Sequence, residues 1–148
     1  MEKKERRRLR TPLGTLKLTL VDGRLLDLRL PRRPPRAYRG PVPGSKGDWA
    51  ELLELPPPAP EIGTAFQRRI WAAAAGIPPG ETLSYVGLAR IAGSPRAPRA
   101  VGQALGANPL PLLIPCHRVV RSDGSLGGFG PGTAWKIFLL GLERGDRG

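Results

Sequence analysis

Cysteine and histidine are almost absent from this sequence, which contains one of each in 148 residues. A single cysteine cannot form an internal disulfide, which is typical of proteins that work in a reducing cytoplasm. A structural zinc site with four Cys or His ligands is excluded as well, and we expect no metal. The sequence also lacks an apolar run of about 18 residues and a signal-peptide core, so we expect no membrane association.

Acidic residues are scarce relative to basic ones. Twelve Asp and Glu face 24 Lys and Arg, which gives a formal net charge of +12. Such a balance creates a positive field that attracts polyanions, above all nucleic acid. The length suits one domain or two small ones with a real core. Nucleic acid is therefore the partner class that composition favours.

The first 30 residues contain the pattern of a β-hairpin. The start, MEKKERRRLR, is interpreted as a solvated basic arm. Leucines then alternate with polar residues on both sides of Asp22-Gly23, and Leu26, Leu28 and Leu30 continue the period of two. Alternation around an Asp-Gly pair predicts two antiparallel strands joined by a tight turn.

Proline-rich stretches surround one short helix before residue 60. Residues 31–47 are rich in Pro, Arg and Gly and predict a loop, and Asp48 can cap a short amphipathic helix over 48–55. The segment PPPAPEIG (56–63) is typical of a linker that interrupts regular structure. We therefore predict an α+β protein with a small N-terminal α/β domain and linker over 1–58 and a C-terminal domain over 59–148.

The C-terminal half predicts a helix-turn-helix. Thr64 can cap a first helix, and two short helices follow over 84–93 and 98–107, joined by a Gly-Ser-Pro turn. Two ordinary packed helices would give the same pattern. Arg96 and Arg99, together with the overall charge, favour a winged-helix-like DNA-binding unit.

The lone cysteine and histidine are neighbours, Cys116 and His117, in the stretch NPLPLLIPCHRVV. Three prolines predict a rigid extended turn with Leu112, Leu113 and Ile114 buried. A thiolate is a nucleophile, and an imidazole can take its proton, here through a bridging water. A carboxylate on the far ring nitrogen would fix the tautomer. An inert buried Cys beside a structural His is the alternative. The acids of this half are Glu61, Glu81, Asp123, Glu143 and Asp146, of which Glu143, ending an apolar helix, is the best candidate.

Two blocks, GTAFQRRIWAAAAGIPPGETLSYVGLARIAGSPRAPRAVGQALGANPLPLLIPCHRVV (63–120) and GGFGPGTAWKIFLLGLE (127–143), carry a resemblance. They resemble the C-terminal domain of the O6-alkylguanine-DNA alkyltransferases. The Pro-Cys-His-Arg-Val core with the preceding Asn-Pro is the most specific part. The resemblance implies a protein that flips O6-alkylguanine out of duplex DNA and transfers the alkyl group irreversibly to its own cysteine, without a cofactor.

The resemblance also implies a role for individual residues. Cys116 would accept the alkyl group, and His117, held by Glu143, would take the thiol proton through a water. Asn108 would brace the turn, and Tyr85 would donate toward N3 of guanine. On the DNA side, Arg99 would fill the gap left by the flipped nucleotide in a helix that enters the minor groove. The remaining implied contacts are Arg96, Ser84, Ala100, Gly102 and Arg118 for DNA, and backbone groups of Cys116 and Val119 with Phe129 and Gly130 for the base.

Phe129 and Gly130 stand where members of the family often carry Tyr and Ser. Three alternatives stay open: the alkyltransferase-like branch, which binds lesions without repair; a transcription regulator with an inert cysteine; and a cysteine hydrolase. The resemblance implies a monomeric, cytoplasmic, nucleoid-associated protein of a prokaryote, with double-stranded DNA containing O6-alkylguanine as its partner and other repair proteins as further candidates.

Overall fold

The computed structural model describes residues 3–44, 47–60 and 62–145. Glu61 and Asp146, two of the candidate acids, lie outside the described residues. An N-terminal antiparallel sheet precedes a mostly helical remainder, so the predicted α+β class is confirmed. The helices and strands are β1 (Lys4–Thr11), β2 (Gly14–Val21), β3 (Arg24–Arg29), α1 (Trp49–Leu52), α2 (Ala65–Ala75), β4 (Leu83–Ser84), α3 (Tyr85–Ile91), α4 (Pro98–Gly106), β5 (Val119–Val120) and α5 (Thr133–Glu143).

The predicted hairpin is confirmed. β2 and β3 are joined by Asp22 and Gly23, both with positive φ (51° and 80°), as a tight primed turn requires. The prediction of a solvated arm was wrong, because residues 4–11 form β1 and pair with β2 from Lys4↔Val21 to Thr11↔Gly14. An edge strand tolerates such a charged sequence, since its backbone bonds to one neighbour while its long side chains stay in water.

The alternation predicted for β3 is also corrected. The register between β2 and β3 shifts between Thr19 and Leu20. This bulge turns Leu25 and Leu28 into the core, at 0% and 2% exposure, and leaves Leu26 half-buried. A bulge adds one residue to one strand and so moves the following side chains to the other face.

The proline-rich segment does not interrupt all regular structure. Leu25 N donates to Pro57 O at 2.7 Å, and Ala59 N donates to Leu25 O at 2.7 Å. Residues 57–59 therefore lie along the edge of β3 as a short parallel bridge. The predicted cap of α1 is confirmed, since Asp48 Oδ1 accepts from Trp49 N at 2.7 Å.

The helices after residue 64 follow the predicted pattern. α2 begins with a capping box between Thr64 and Gln67, and α4 has Pro98 at its first position. α3 and α4 pack together as the predicted helix pair. With α2 they enclose one core cluster, whose buried members include Ile70, Leu88, Val101, Cys116 and Val119.

The other core cluster joins both halves of the chain. The inner face of the sheet packs against α5 and a turn at residues 110–112. The turn replaces the extended segment predicted there: Leu112 has a φ of 75° and is buried, while Leu113 and Ile114 are half-buried. The division at residues 58 and 59 stays a prediction. In the described residues no helix is long and apolar enough to cross a membrane.

Candidate active site

Cys116 lies at the start of a 3₁₀ turn, Cys116–Arg118, and belongs to the core cluster enclosed by α2, α3 and α4. Its side chain is buried, and Asn108 Nδ2 donates to Sγ at 3.0 Å and to Ile114 O at 3.0 Å. Asn108 is itself fixed, because its Oδ1 accepts from Leu110 N at 2.8 Å. Burial raises the pKa of the Cys116 thiol to about 12, although the Asn108 bond and the Lys136 charge act to lower the pKa. In the resting protein, Cys116 is therefore a protonated thiol whose sulfur is fixed in position by Asn108.

His117 and Glu143 form a buried pair. His117 Nε2 and Glu143 Oε2 are 2.9 Å apart, and the side chains are 0% and 1% exposed. Burial raises the pKa of Glu143, but hydrogen bonds from Arg118 and His117 outweigh it and bring the pKa to about 2. Since Glu143 is a carboxylate, Nε2 carries the proton and Nδ1 is left as an acceptor. Nδ1 is buried without a protein partner among the described residues.

Arg118 holds Glu143 from the other side. Its Nε and Nη2 donate to the two carboxylate oxygens at 2.9 and 2.8 Å. Nη2 also donates to Asp48 Oδ1 at 3.0 Å, and Nη1 donates to Ile77 O at 2.8 Å. The prediction that Arg118 contacts DNA is therefore corrected: its side chain is 0% exposed and saturated inside the protein. Trp49 Nε1 completes the shell with a bond to Glu143 Oε2 at 2.7 Å.

A cleft of about 290 Å³ opens above Cys116. Tyr85 forms one wall, and burial raises the pKa of its hydroxyl, so the group stays a neutral donor. The opposite wall is formed by the segment around Gly127, which has a φ of +71°. This segment passes so close to Tyr85 that a Cβ at Gly127 would lie 2.7 Å from the Tyr85 hydroxyl oxygen. Only glycine fits there. The cleft is lined by Tyr85, Gly102, Leu105, Gly106, Cys116, Arg121, Gly127, Gly128 and Phe129.

Lys136 fastens the glycine-rich loop between β5 and α5 (residues 121–132) to the site. Its ammonium is fully buried and donates to Val119 O at 2.7 Å, to Gly128 O at 3.1 Å and to Leu126 O. It also stands 5.9 Å from the centre of the Tyr85 ring. Burial lowers the pKa of Lys136 to about 8, while the neighbouring Cys116 acts to raise it. One side chain thus fixes the far wall of the cleft relative to Cys116.

The other expected site residues are spread over two regions. Arg96 and Arg99 are exposed at the turn and on α4, and Ala100 and Gly102 are half-buried on the same helix. Ser84 caps α3, with Oγ accepting from Gly87 N at 2.9 Å. In the base region, Phe129 lines the cleft, Val119 is buried, and Gly130 is exposed but does not line the cleft.

Sequence reasoning missed Asp48, Trp49 and Lys136. Lys136 left a signal, because it lies seven residues before Glu143 on α5, on the same face as buried Trp135 and Leu139. A lone cation on the apolar side of a helix calls for a buried partner. Asp48 and Trp49 left none, since their contact with Arg118 and Glu143 joins residues far apart in the chain.

Comparison with known proteins gives consistent results along the chain. Residues 65–145 match the family model described as 6-O-methylguanine DNA methyltransferase, DNA binding domain. A methylated-DNA–protein-cysteine methyltransferase of Mycolicibacterium paratuberculosis is 41% identical over 95% of this chain and 92% of the relative. One of Methanosarcina barkeri is 51% identical over 60% of this chain and 55% of the relative. A crystal structure of Mycobacterium tuberculosis OGT in complex with DNA matches with a TM-score of 0.74 and 36% identity, over 95% of this chain and 93% of that one.

Proposed function

The chain belongs to the 6-O-methylguanine DNA methyltransferase family, and from this premise we propose that it repairs O6-alkylguanine in duplex DNA by moving the alkyl group to its own Cys116. One observation carries the proposal: the thiol of Cys116, fixed by Asn108, lines a cleft, and the next residue, His117, is oriented by the carboxylate of Glu143. The names of the relatives also favour repair over lesion sensing, as does the presence of cysteine at position 116.

The target base must leave the stack to reach Cys116, because the thiol is buried under the cleft. Exposed Arg99 on α4 is suited to enter the duplex and occupy the gap, with Arg96 beside it on the phosphates. The flipped guanine then lies between Tyr85 and the loop that Lys136 fastens. Duplex DNA is thus the partner, and the bacterial relatives support a cytoplasmic place on the chromosome.

The transfer is a single displacement. Cys116 Sγ attacks the alkyl carbon, the new S–C bond forms, and the C–O6 bond breaks with its electron pair left on guanine. The thiol proton passes through a water to His117 Nδ1, and Glu143 stabilises the imidazolium that results. Tyr85 donates a proton to N3 of the departing guanine and recovers one from solvent. The product thioether has no leaving path, so each chain acts once.

Intact-protein mass after mixing equimolar protein with an O6-methylguanine duplex tests the proposal. We expect a gain of one methyl group located on Cys116, guanine restored in the DNA, and no product beyond one equivalent. Cys116→Ala is the matched control: it should transfer nothing yet still bind the lesion, because Tyr85 and Arg99 are untouched.

Other outcomes would assign other functions. Wild-type protein that binds the lesion but stays unmodified would be a lesion sensor, and repeated turnover would indicate a hydrolase. Undamaged DNA should bind with micromolar or weaker affinity, with little sequence preference and strong salt dependence. A nanomolar preference for one undamaged sequence would instead indicate a regulator.

A further inference from the structure

The outer face of the N-terminal sheet carries a row of cations that the repair reaction does not use. Three of them stand directly opposite one another on adjacent strands, Arg8↔Lys17 and Lys17↔Arg29. Like charges in directly opposed positions destabilise a sheet, and here the row crosses all three strands. The exposed cations of this face, which we call the basic sheet face, are Lys4, Arg6, Arg8, Arg10, Lys17, Arg24 and Arg29.

Very little negative charge compensates the basic sheet face. Asp27 is its one carboxylate among the described strand residues, and it lies 3.4 Å from Arg29. A hollow of about 670 Å³ on this face is lined by Arg6, Arg8, Lys17 and Arg29 among others. A neighbouring hollow adds Arg33 beside Arg8 and Lys17. The face therefore presents a concave surface with a surplus of cations.

Protection of the sheet edge does not explain this arrangement. Charged side chains on an edge strand prevent pairing with other chains, and β1 is such an edge. Lys17, however, lies on the central strand, which has no free edge. A cation there, with an arginine on each side, has no protective purpose and costs stability.

The basic sheet face is also separate from the helix pair. The inner face of the sheet packs against α5 and the turn at residues 110–112. α3 and α4 belong to the other core cluster, with α2. The basic sheet face is turned away from the packed side of the sheet, so its charge is not needed to build the α3–α4 surface.

We propose that the basic sheet face binds the phosphate backbone of nucleic acid, as a second contact independent of the α3–α4 helix pair. Arginine predominates, and its planar guanidinium suits bidentate phosphate contacts. The side chains of Lys4 to Arg10 extend over about 20 Å at 3.3 Å per residue, which corresponds to about six nucleotide steps of 3.4 Å. No large apolar side chain is exposed on these strands to enter a lipid surface.

The test compares two full-length triple variants of equal charge. Arg8→Gln/Lys17→Gln/Arg29→Gln removes the opposed row, and Arg36→Gln/Arg39→Gln/Arg68→Gln removes three exposed cations outside the sheet. The affinity for a long undamaged duplex is measured against salt concentration. If each row cation neutralises one phosphate, the row variant should lower the log–log slope by about 2 to 3. The control should change the slope by less than about 1, and the row variant should unfold at the same temperature as wild type or higher.

A second measurement distinguishes the sources of phosphate. Chains carrying Cys116→Ala, which are expected to bind the lesion without repairing it, are held on an immobilised lesion duplex and offered a labelled second duplex. Capture of the second duplex that is lost when the row substitutions are added assigns the face to a separate duplex. A changed slope without capture assigns it to the flanks of the same duplex. Equal slopes in the row variant and the control would overturn the proposal. So would row-dependent binding to vesicles containing anionic phospholipid without any row-dependent binding to DNA. Methyl transfer to a short lesion duplex should be unchanged in both variants, which keeps this test apart from that of the repair function.

Discussion

Replacing Glu143 by Gln removes the charge of a carboxylate that accepts hydrogen bonds from Trp49, His117 and twice from Arg118. An amide of the same shape has one acceptor oxygen, and its NH₂ group must face a donor. Arg118, which is fully buried, then keeps only Asp48 as a charged partner. Breaking a buried pair in this way costs about 3–5 kcal/mol.

The pKa of Glu143 gives a second value for the same quantity. The fall from 4.5 to about 2, at 1.36 kcal/mol per pKa unit, corresponds to about 3 kcal/mol of stability near neutral pH. Solvent does not weaken this electrostatic contribution, because the Glu143 side chain is only 1% exposed. The folded-state pKa lies below the unfolded one, so the contribution is complete above pH 4.5 and is lost as the pH falls towards 2. At pH 3.5 about 2 kcal/mol should remain.

Urea unfolding of wild type and Glu143→Gln at pH 7 and pH 3.5 measures both values. We expect a difference of about 3 kcal/mol at pH 7 that shrinks by about 1 kcal/mol at pH 3.5. Exposed Glu81→Gln is the control and should stay within about 0.5 kcal/mol of wild type. A difference below 1 kcal/mol at pH 7, or one that does not change with pH, would refute the reasoning. Methyl transfer should also slow by about 10²-fold or more, since the histidine tautomer is no longer fixed.

Three further predictions concern the thiol, the loop and the DNA surface. Because burial raises the pKa of Cys116 to about 12, iodoacetamide should modify the resting protein slowly at pH 7.5, with a rate that still rises above pH 9; a plateau near neutral pH would contradict a protonated resting thiol. Lys136→Met leaves two loop carbonyls and the Val119 carbonyl of β5 without their donor, so transfer should slow at least about 10-fold in a rapid-quench assay, and an unchanged rate would remove the fastening role. Arg99→Ala should weaken lesion binding and slow repair in duplex DNA while transfer from free O6-methylguanine changes little, and equal losses on both substrates would exclude gap filling.

Local patterns were enough for much of the fold. The Asp22-Gly23 hairpin, the Thr64 cap and the proline at the start of α4 depend on neighbouring residues, whose conformational preferences act within a few positions. β1 was missed because its charged sequence indicates only that its side chains face solvent. Its pairing with β2 is made by backbone hydrogen bonds, which the residue types do not reveal. The bulge between Thr19 and Leu20 has no local signal, so the face of each leucine in β3 could not be assigned from period alone.

The sequence by itself determined the family, the proposed acceptor cysteine and the histidine next to it, because these lie in one contiguous motif. Glu143 could be proposed from its position at the end of an apolar helix. Only the tertiary structure decided that Arg118 is an internal clamp and not a DNA contact, and that Asp48, Trp49 and Lys136 complete the site. Their partners lie between eight and 94 residues away in the chain. Contacts over such separations form only when the two core clusters pack, and packing, not local preference, decides which polar groups become buried together.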